Sequence, residues 1–395
     1  MDAYLFDWLN LLLRWAHVIV AIAWIGSSFY FVFLDLSLTP PDDPALKAKG
    51  VDGELWAVHG GGFYNPQKYL VAPPQLPEKL HWFYWESYST WLTGFALFAL
   101  LYLAQASVWL VDPRVHAWSS GAAAGAAALG FLVAFWLLYD MVCRVAGERD
   151  RLVGAAVALL VAVAAWLACA LFAGRAAFLL VGAMLATAMT ANVAHWIIPG
   201  QRKVIAQMKA GEPVDPQHGR RAKQRSVHNT YFTLPVVVAM LSNHYAFLYG
   251  ASHNAAVLVL LMAAGALIRH SFVARHRAQV LGRRVPWEYA VTGCALLAAV
   301  VVALRPEPSA AAASGVPSFG EVRHVVEQRC VACHNEQVVN KNIQLHTPAL
   351  VARNAQLVYQ QAVVQRTMPL NNATQMTDAE RALLKRWYEA GAKTE

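Results

Sequence analysis

Charge is scarce in this chain: Asp, Glu, Lys and Arg together make up 14% of its 395 residues, where a soluble domain carries about a quarter. Hydrophobic residues fill 57%, and the mean hydropathy is positive at +0.37. An ordinary soluble domain is excluded, and a polytopic membrane protein is expected. Cysteine is sparse as well, five residues in all. Cys143, Cys169 and Cys294 stand singly in apolar runs, where the plain reading is a small buried hydrophobe; Cys330 and Cys333 stand apart as a pair. There is no glycine-rich dinucleotide fingerprint. No Lys or Arg precedes Arg14 and no small-residue cleavage site follows the first apolar run, so a removable signal peptide is not expected.

Apolar runs of the roughly 20 residues needed to span a bilayer recur about eight times, near 8–34, 83–110, 120–143, 152–173, 176–198, 229–249, 254–274 and 287–304. The net charge of +8 does not point to nucleic acid, because the basic residues are confined to alternate loops, as membrane topology imposes. With the N-terminus outside, the inner loops hold eighteen Lys and Arg, and the outer loops hold only Arg114 and Arg175. Both ends of the helical region are therefore expected outside the cytoplasm. The fold expected is all-α: a membrane bundle over 1–304, a Pro- and Ala-rich tether over 305–317, and a small domain over 318–395. The inner loop at 36–82 is long, and its aromatic residues predict an ordered segment folded back on the helices. The basic stretch 199–228 reads as a solvated loop that determines topology.

Cys330-Val331-Ala332-Cys333-His334 has the spacing of a c-type haem attachment motif, in which two thiols add to the haem vinyl groups and the adjacent His reaches the iron. A zinc half-site is the alternative, but no second Cys pair exists to complete one. Met368, stiffened by Pro369, is placed to be the second axial ligand. Met376 is its rival, with His324 and His346 behind. Thr377-Asp378-Ala379-Glu380 is a capping box that opens a last helix over Asp378 to Ala390, whose Leu383, Leu384 and Trp387 are expected against the porphyrin. The tail resembles a small monohaem cytochrome c.

Ionisable groups at membrane depth are costly and mark candidate sites. Arg14, His17, Ala21, Trp24 and Ser28 recur at helical spacing and share one face. His81, His195, His228 and His270 fall toward the inner side, and His17, His244 and His253 toward the outer half. Two such layers would hold two b-type haems, with His17, His195, His244 and His270 as ligands. The alternative for each is a hydrogen-bonded imidazole. Glu86 reads either as a buried general base or as a carboxylate paired at the headgroup level.

Trp15-Ala16-His17, Trp24-Ile25-Gly26, His59-Gly60-Gly61-Gly62-Phe63-Tyr64, Gln67-Lys68-Tyr69, His81-Trp82-Phe83-Tyr84-Trp85-Glu86 with Thr90-Trp91, Ser226 to Tyr231, and Ser242-Asn243-His244 occur in an order that resembles the bacterial membrane-bound urate oxidase (urate hydroxylase) family. The resemblance implies oxidation of urate to 5-hydroxyisourate, with electrons leaving through haem c to a respiratory cytochrome or oxidase, in a bacterial inner membrane with the cytochrome domain in the periplasm. It suggests Glu86, His81, Arg269, His228 and Asn229 as catalytic residues near the inner face. A haem c outside then lies across about 30 Å of hydrocarbon. Either intramembrane haems relay the electrons, or the substrate sits near the outer face, where Arg14, His17, Asn243 and His244 are the candidates. An electron relay for quinol or a partner dehydrogenase, or a transporter or assembly factor that tethers a cytochrome, are the other classes.

Overall fold

In hydrocarbon a backbone must satisfy its own N–H and C=O groups, so long apolar sequence becomes long helix. The computed structural model describes residues 3–69, 73–305, 315–337, 342–372 and 374–394, and it is mostly helical. Up to residue 305 the main helices are α1 (Ala3–Ser37), α2 (Trp85–Phe98), α3 (Ala106–Trp109), α4 (Gly121–Ala146), α5 (Asp150–Leu171), α6 (Gly174–Asn192), α7 (Ile198–Ala210), α8 (Pro216–Leu241), α9 (Asn254–Val280) and α10 (Glu288–Ala303). Among the described residues, five stretches are long and apolar enough to cross a membrane: Tyr4–Ser37, Gly121–Ala146, Asp150–Leu171, Gly174–Ala210 and Asn254–Val280.

The other three apolar runs take local detours. After α2 the chain tightens into a π-helical turn, Ala99–Leu103, and breaks at Gln105 before α3. The apolar half of α8 ends in a 3-10 turn, Ser242–His244, and α10 is 16 residues long. α6 runs through a second π-helical turn, Val193–Ile197, straight into α7. Gly211, at φ 69°, then stops α7, while Asp215 caps α8 and Pro216 occupies its first turn. The basic stretch expected as a solvated loop is therefore a helical hairpin, built from Lys, Arg, Gln and Ala, all good helix formers.

The core of the bundle is centred on α6, whose Phe178, Leu180, Val181, Met184 and Leu185 are wholly buried. α4, α5 and α8 surround it, with α1 against α2 and α9, and α10 along α9. Alanines 176, 177 and 188 on α6 are likewise without exposure, small residues that let neighbouring backbones approach. Cys143 and Cys169 are buried as expected, but Cys294 is exposed, because it lies on the outward face of α10.

The long loop at 36–82 adds two short strand pairings to the mostly helical fold. β1 (Val51–Glu54) pairs antiparallel with β4 (Gln67–Tyr69), and within that ribbon β2 (Ala57–His59) pairs with β3 (Gly62–Tyr64). Gly60 and Gly61 form the tip, both with positive φ, as a two-residue hairpin turn requires. The base of the ribbon is tied to the end of α1 through the Thr39–Glu54 bridge and the Lys68–Asp35 ion pair. Its tip does not fold back on the helices: Trp56 and Phe63 are 69% and 77% exposed.

Most of the tether, 306–314, lies outside the described residues. Beyond it, α11 (Phe319–Arg329) opens on a Ser318/Glu321 capping box. The expected Thr377/Glu380 capping box opens α12 (Asp378–Glu389). These helices enclose a separate core that includes Val322, Val326, Leu345, Val358, Leu384 and Trp387. The tail meets the bundle where the turn Leu370–Asn372 packs on α3.

Candidate functional site

The Cys-x-x-Cys-His segment follows α11 as tight turns, with Cys333 exposed and Cys330 half-buried against the tail core. Burial pushes the Cys330 thiol up to about 12, against the pull of the Arg381 charge, so it is neutral at ordinary pH. The Nδ1 of His334 lies 3.0 Å from the Ile343 carbonyl oxygen. A carbonyl only accepts, so Nδ1 carries the proton and Nε2 presents its lone pair. That is how an iron-ligating imidazole is usually held. Met368 lies half-buried at the edge of the core, while Met376 is buried inside it at 3% exposure. Arg381 fixes the Met368 loop by donating to the Met368 carbonyl, 2.8 Å away, and to the Ala362 carbonyl. His324 bonds Gln328 and His346 pairs with Glu336, so each has a local partner. The donor set, two thiols and one oriented imidazole on a single turn with a thioether nearby, fits a covalently held haem.

The imidazoles of the helical region fall into separate environments. His17 Nδ1 is 3.0 Å from Thr93 Oγ1, whose own proton goes to the Ser89 carbonyl at 2.7 Å. His17 therefore donates, and Gly94 gives its ring room, since a Cβ there would stand 2.9 Å from Cε1. His195 donates to the Ala191 carbonyl on the exposed side of the π-helical turn, beside Trp136. His244 is exposed at the 3-10 turn. His270 Nδ1 lies 2.7 Å from the Tyr231 hydroxyl and its ring lies against Tyr289. Among the described residues no hydrogen bond or ring contact joins two of these imidazoles, and His17, His195 and His270 each have a local partner of their own.

His228 and Asn229 belong to a network that sequence reasoning missed. Tyr139 sits between His228 Nδ1, at 2.9 Å, and the Asn192 amide, at 2.9 Å, and that amide also donates to Asn229 Oδ1. The next residue, Asp140, is buried at 6% exposure. It accepts from Trp196 Nε1 at 2.7 Å, pairs with Arg225 at 2.7 Å and with Arg144 at 2.6 Å. Arg225 lies in the basic stretch 199–228, yet its side chain is 3% exposed and lies over the Tyr139 and Trp196 rings. The signal that could have pointed here is Asp140, an acidic residue near the end of the apolar run 120–143. The network clamps α4, the π-helical turn after α6, and α8.

The remaining expected catalytic residues are not gathered with it. His81 is exposed and packs edge-on to Phe83, and Glu86 is half-exposed in the first turn of α2. Arg269 is buried at 6% exposure, with its guanidinium 3.6 Å over the Phe29 ring and Nε and Nη2 without a partner among the described residues. Among those residues no group of three or more His, Cys, Asp or Glu side chains converges on a metal-sized point; a haem c iron asks the protein for only two ligands.

A family model described as urate oxidase N-terminal matches residues 3–305. The chain belongs to that family. The match covers the bundle and stops at Arg305, so membership in the urate oxidase N-terminal family speaks for the helical part and for a urate-related oxidoreductase, not for the tail. No curated protein and no solved structure matches the chain.

Proposed function

We propose that the chain is a membrane-bound urate oxidase that sends the electrons of its substrate to a haem c on its own tail domain. The observation that carries this reading is the oriented His334, four residues after Cys330, on a tail that touches a bundle of the urate oxidase N-terminal family. Urate and water give 5-hydroxyisourate, two protons and two electrons: a C–O bond forms at ring C5. Bound at the tail, the haem supplies a one-electron acceptor, so two turnovers of that acceptor follow each urate. Cys330 and Cys333 would hold the group by thioethers, His334 Nε2 and Met368 Sδ would ligate its iron, and Arg381 keeps the Met368 loop in place. Leu383, half-buried beside them, offers an apolar wall.

The asymmetry of eighteen cations against two supports a bacterial inner membrane with the tail in the periplasm. From there electrons pass to a respiratory cytochrome or oxidase. The test uses purified full-length protein, urate and ferricyanide under argon. The expected result is two ferricyanide reduced per urate consumed. Reduction by quinol with none by urate would replace this reading with that of an electron relay that has no substrate site.

A further inference from the structure

Topology drives cations away from the end of the bundle that carries the tail, and those found there need a reason. Arg114 has one in Asp112, with Nη2 2.6 Å from Oδ2. Arg175 pairs with no carboxylate among the described residues. It stands in the first turn of α6, a turn with no acidic residue, where the helix dipole already disfavours a cation. Its Nε donates to Asn243 Oδ1 at 3.1 Å, the same oxygen accepts from the Tyr102 hydroxyl at 3.0 Å, and the guanidinium lies 4.9 Å over the Trp109 ring. With Oδ1 doubly engaged, the Asn243 amide N–H groups have no partner among the described residues. Arg14, on the exposed face of α1, bonds Asn10.

A guanidinium group without a carboxylate, a pair of amide N–H donors and an indole wall form a receptor for a planar anion with carbonyl edges. Its position fits the chemistry. Trp109 ends α3, the element against the turn Leu370–Asn372, two residues beyond Met368. A substrate here gives its electrons to the tail without their crossing about 30 Å of hydrocarbon. By contrast, the buried network at the opposite, basic end satisfies Asp140, Tyr139 and Asn229 from within the protein.

We propose that Arg175, Asn243, Tyr102 and Trp109 form the oxopurine-anion site, directly beneath the haem-ligand loop and open to the tail side of the membrane; the proposal rests on the urate oxidase reading above. The test measures equilibrium binding of radiolabelled urate to full-length holoprotein in sealed vesicles, with the haem pre-reduced so that no turnover occurs. Vesicle orientation is read from protease access to the tail. Saturable binding is expected in tail-out vesicles only. Arg175→Gln should weaken it about 10- to 100-fold, the loss of a charge-assisted contact, and Arg114→Gln should leave it within about twofold. Binding confined to tail-in vesicles, which needs no variant to detect, would overturn the site and move it to the basic end near Arg269. Equal losses in Arg114→Gln and Arg175→Gln would overturn it in favour of diffuse attraction. No binding in either orientation would overturn the urate reading itself.

Discussion

Asp140 shares its carboxylate between two arginines of opposite exposure, which makes its contribution measurable. Arg225 is 3% exposed and Asp140 8% at the side chain, whereas Arg144 is 64% exposed. Asp140→Asn keeps the shape and an acceptor for Trp196 but strands the Arg225 guanidinium in a dry interior. Removing one partner of a buried pair costs about 3–5 kcal/mol. Arg225→Met should cost less, because Asp140 keeps Arg144 and Trp196, although the contacts of Arg225 over two rings, worth about 0.5–2 kcal/mol, disappear. Arg144→Ala should cost under about 1 kcal/mol, as an exposed pair does. In the double variant Asp140→Asn/Arg225→Met no charge is stranded, so its cost should fall short of the two singles summed by about 1–3 kcal/mol. Denaturation of the detergent-solubilised protein, followed by tryptophan fluorescence, gives all four values. An Asp140→Asn variant within about 1 kcal/mol of wild type, or strict additivity of the pair, would refute a buried clamp joining α4 to α8.

Replacing both Cys330 and Cys333 by Ala should abolish the covalent haem stain of the denatured polypeptide, while either single variant keeps one thioether; a stained double variant would place the haem elsewhere. Gly94→Ala sets a methyl 2.9 Å from His17 Cε1, and the overpacking should cost about 1–3 kcal/mol, read in the same unfolding assay; a neutral outcome would mean that α1 and α2 are not in that contact. Burial pushes the Glu380 carboxyl up, but the hydrogen bonds from Thr377 and the Arg329 pair reverse this and hold it below the usual carboxylate range. A lowered folded value means the stabilisation is present above the unfolded carboxylate pKa and is lost as pH falls through the folded one. Acid unfolding of the tail, followed by haem absorbance, should therefore start higher in pH for wild type at the acid edge than neutral-pH stability suggests, and Glu380→Gln should flatten that acid loss while lowering stability at pH 7. An unchanged acid profile in Glu380→Gln would remove this carboxylate from the account.

The helices were legible because membrane depth leaves one backbone solution, and apolar length announces it. Both capping boxes of the tail follow the local rule that Ser or Thr is answered by Glu three residues on, and the one that opens α12 could be read directly from Thr377 and Glu380. The β-ribbon was not, because Gly60 and Gly61 sit among aromatic residues that mimic a loop folded on the bundle. The hairpin of α7 and α8 is hidden because a run of charge reads as solvation, although Arg225 is buried by a partner 85 residues earlier. For the same reason His228 could be singled out, but not the Tyr139, Asn192 and Asp140 that surround it. Pairings across helices depend on which faces meet, and spacing along one helix does not say so.

The most direct measurement is an anaerobic titration of the purified full-length protein with urate, with no other acceptor present, while the haem absorbance is recorded. Two electrons per urate and one per haem predict complete reduction at half an equivalent of urate. A haem that stays oxidised in excess urate yet is reduced by dithionite would contradict the account.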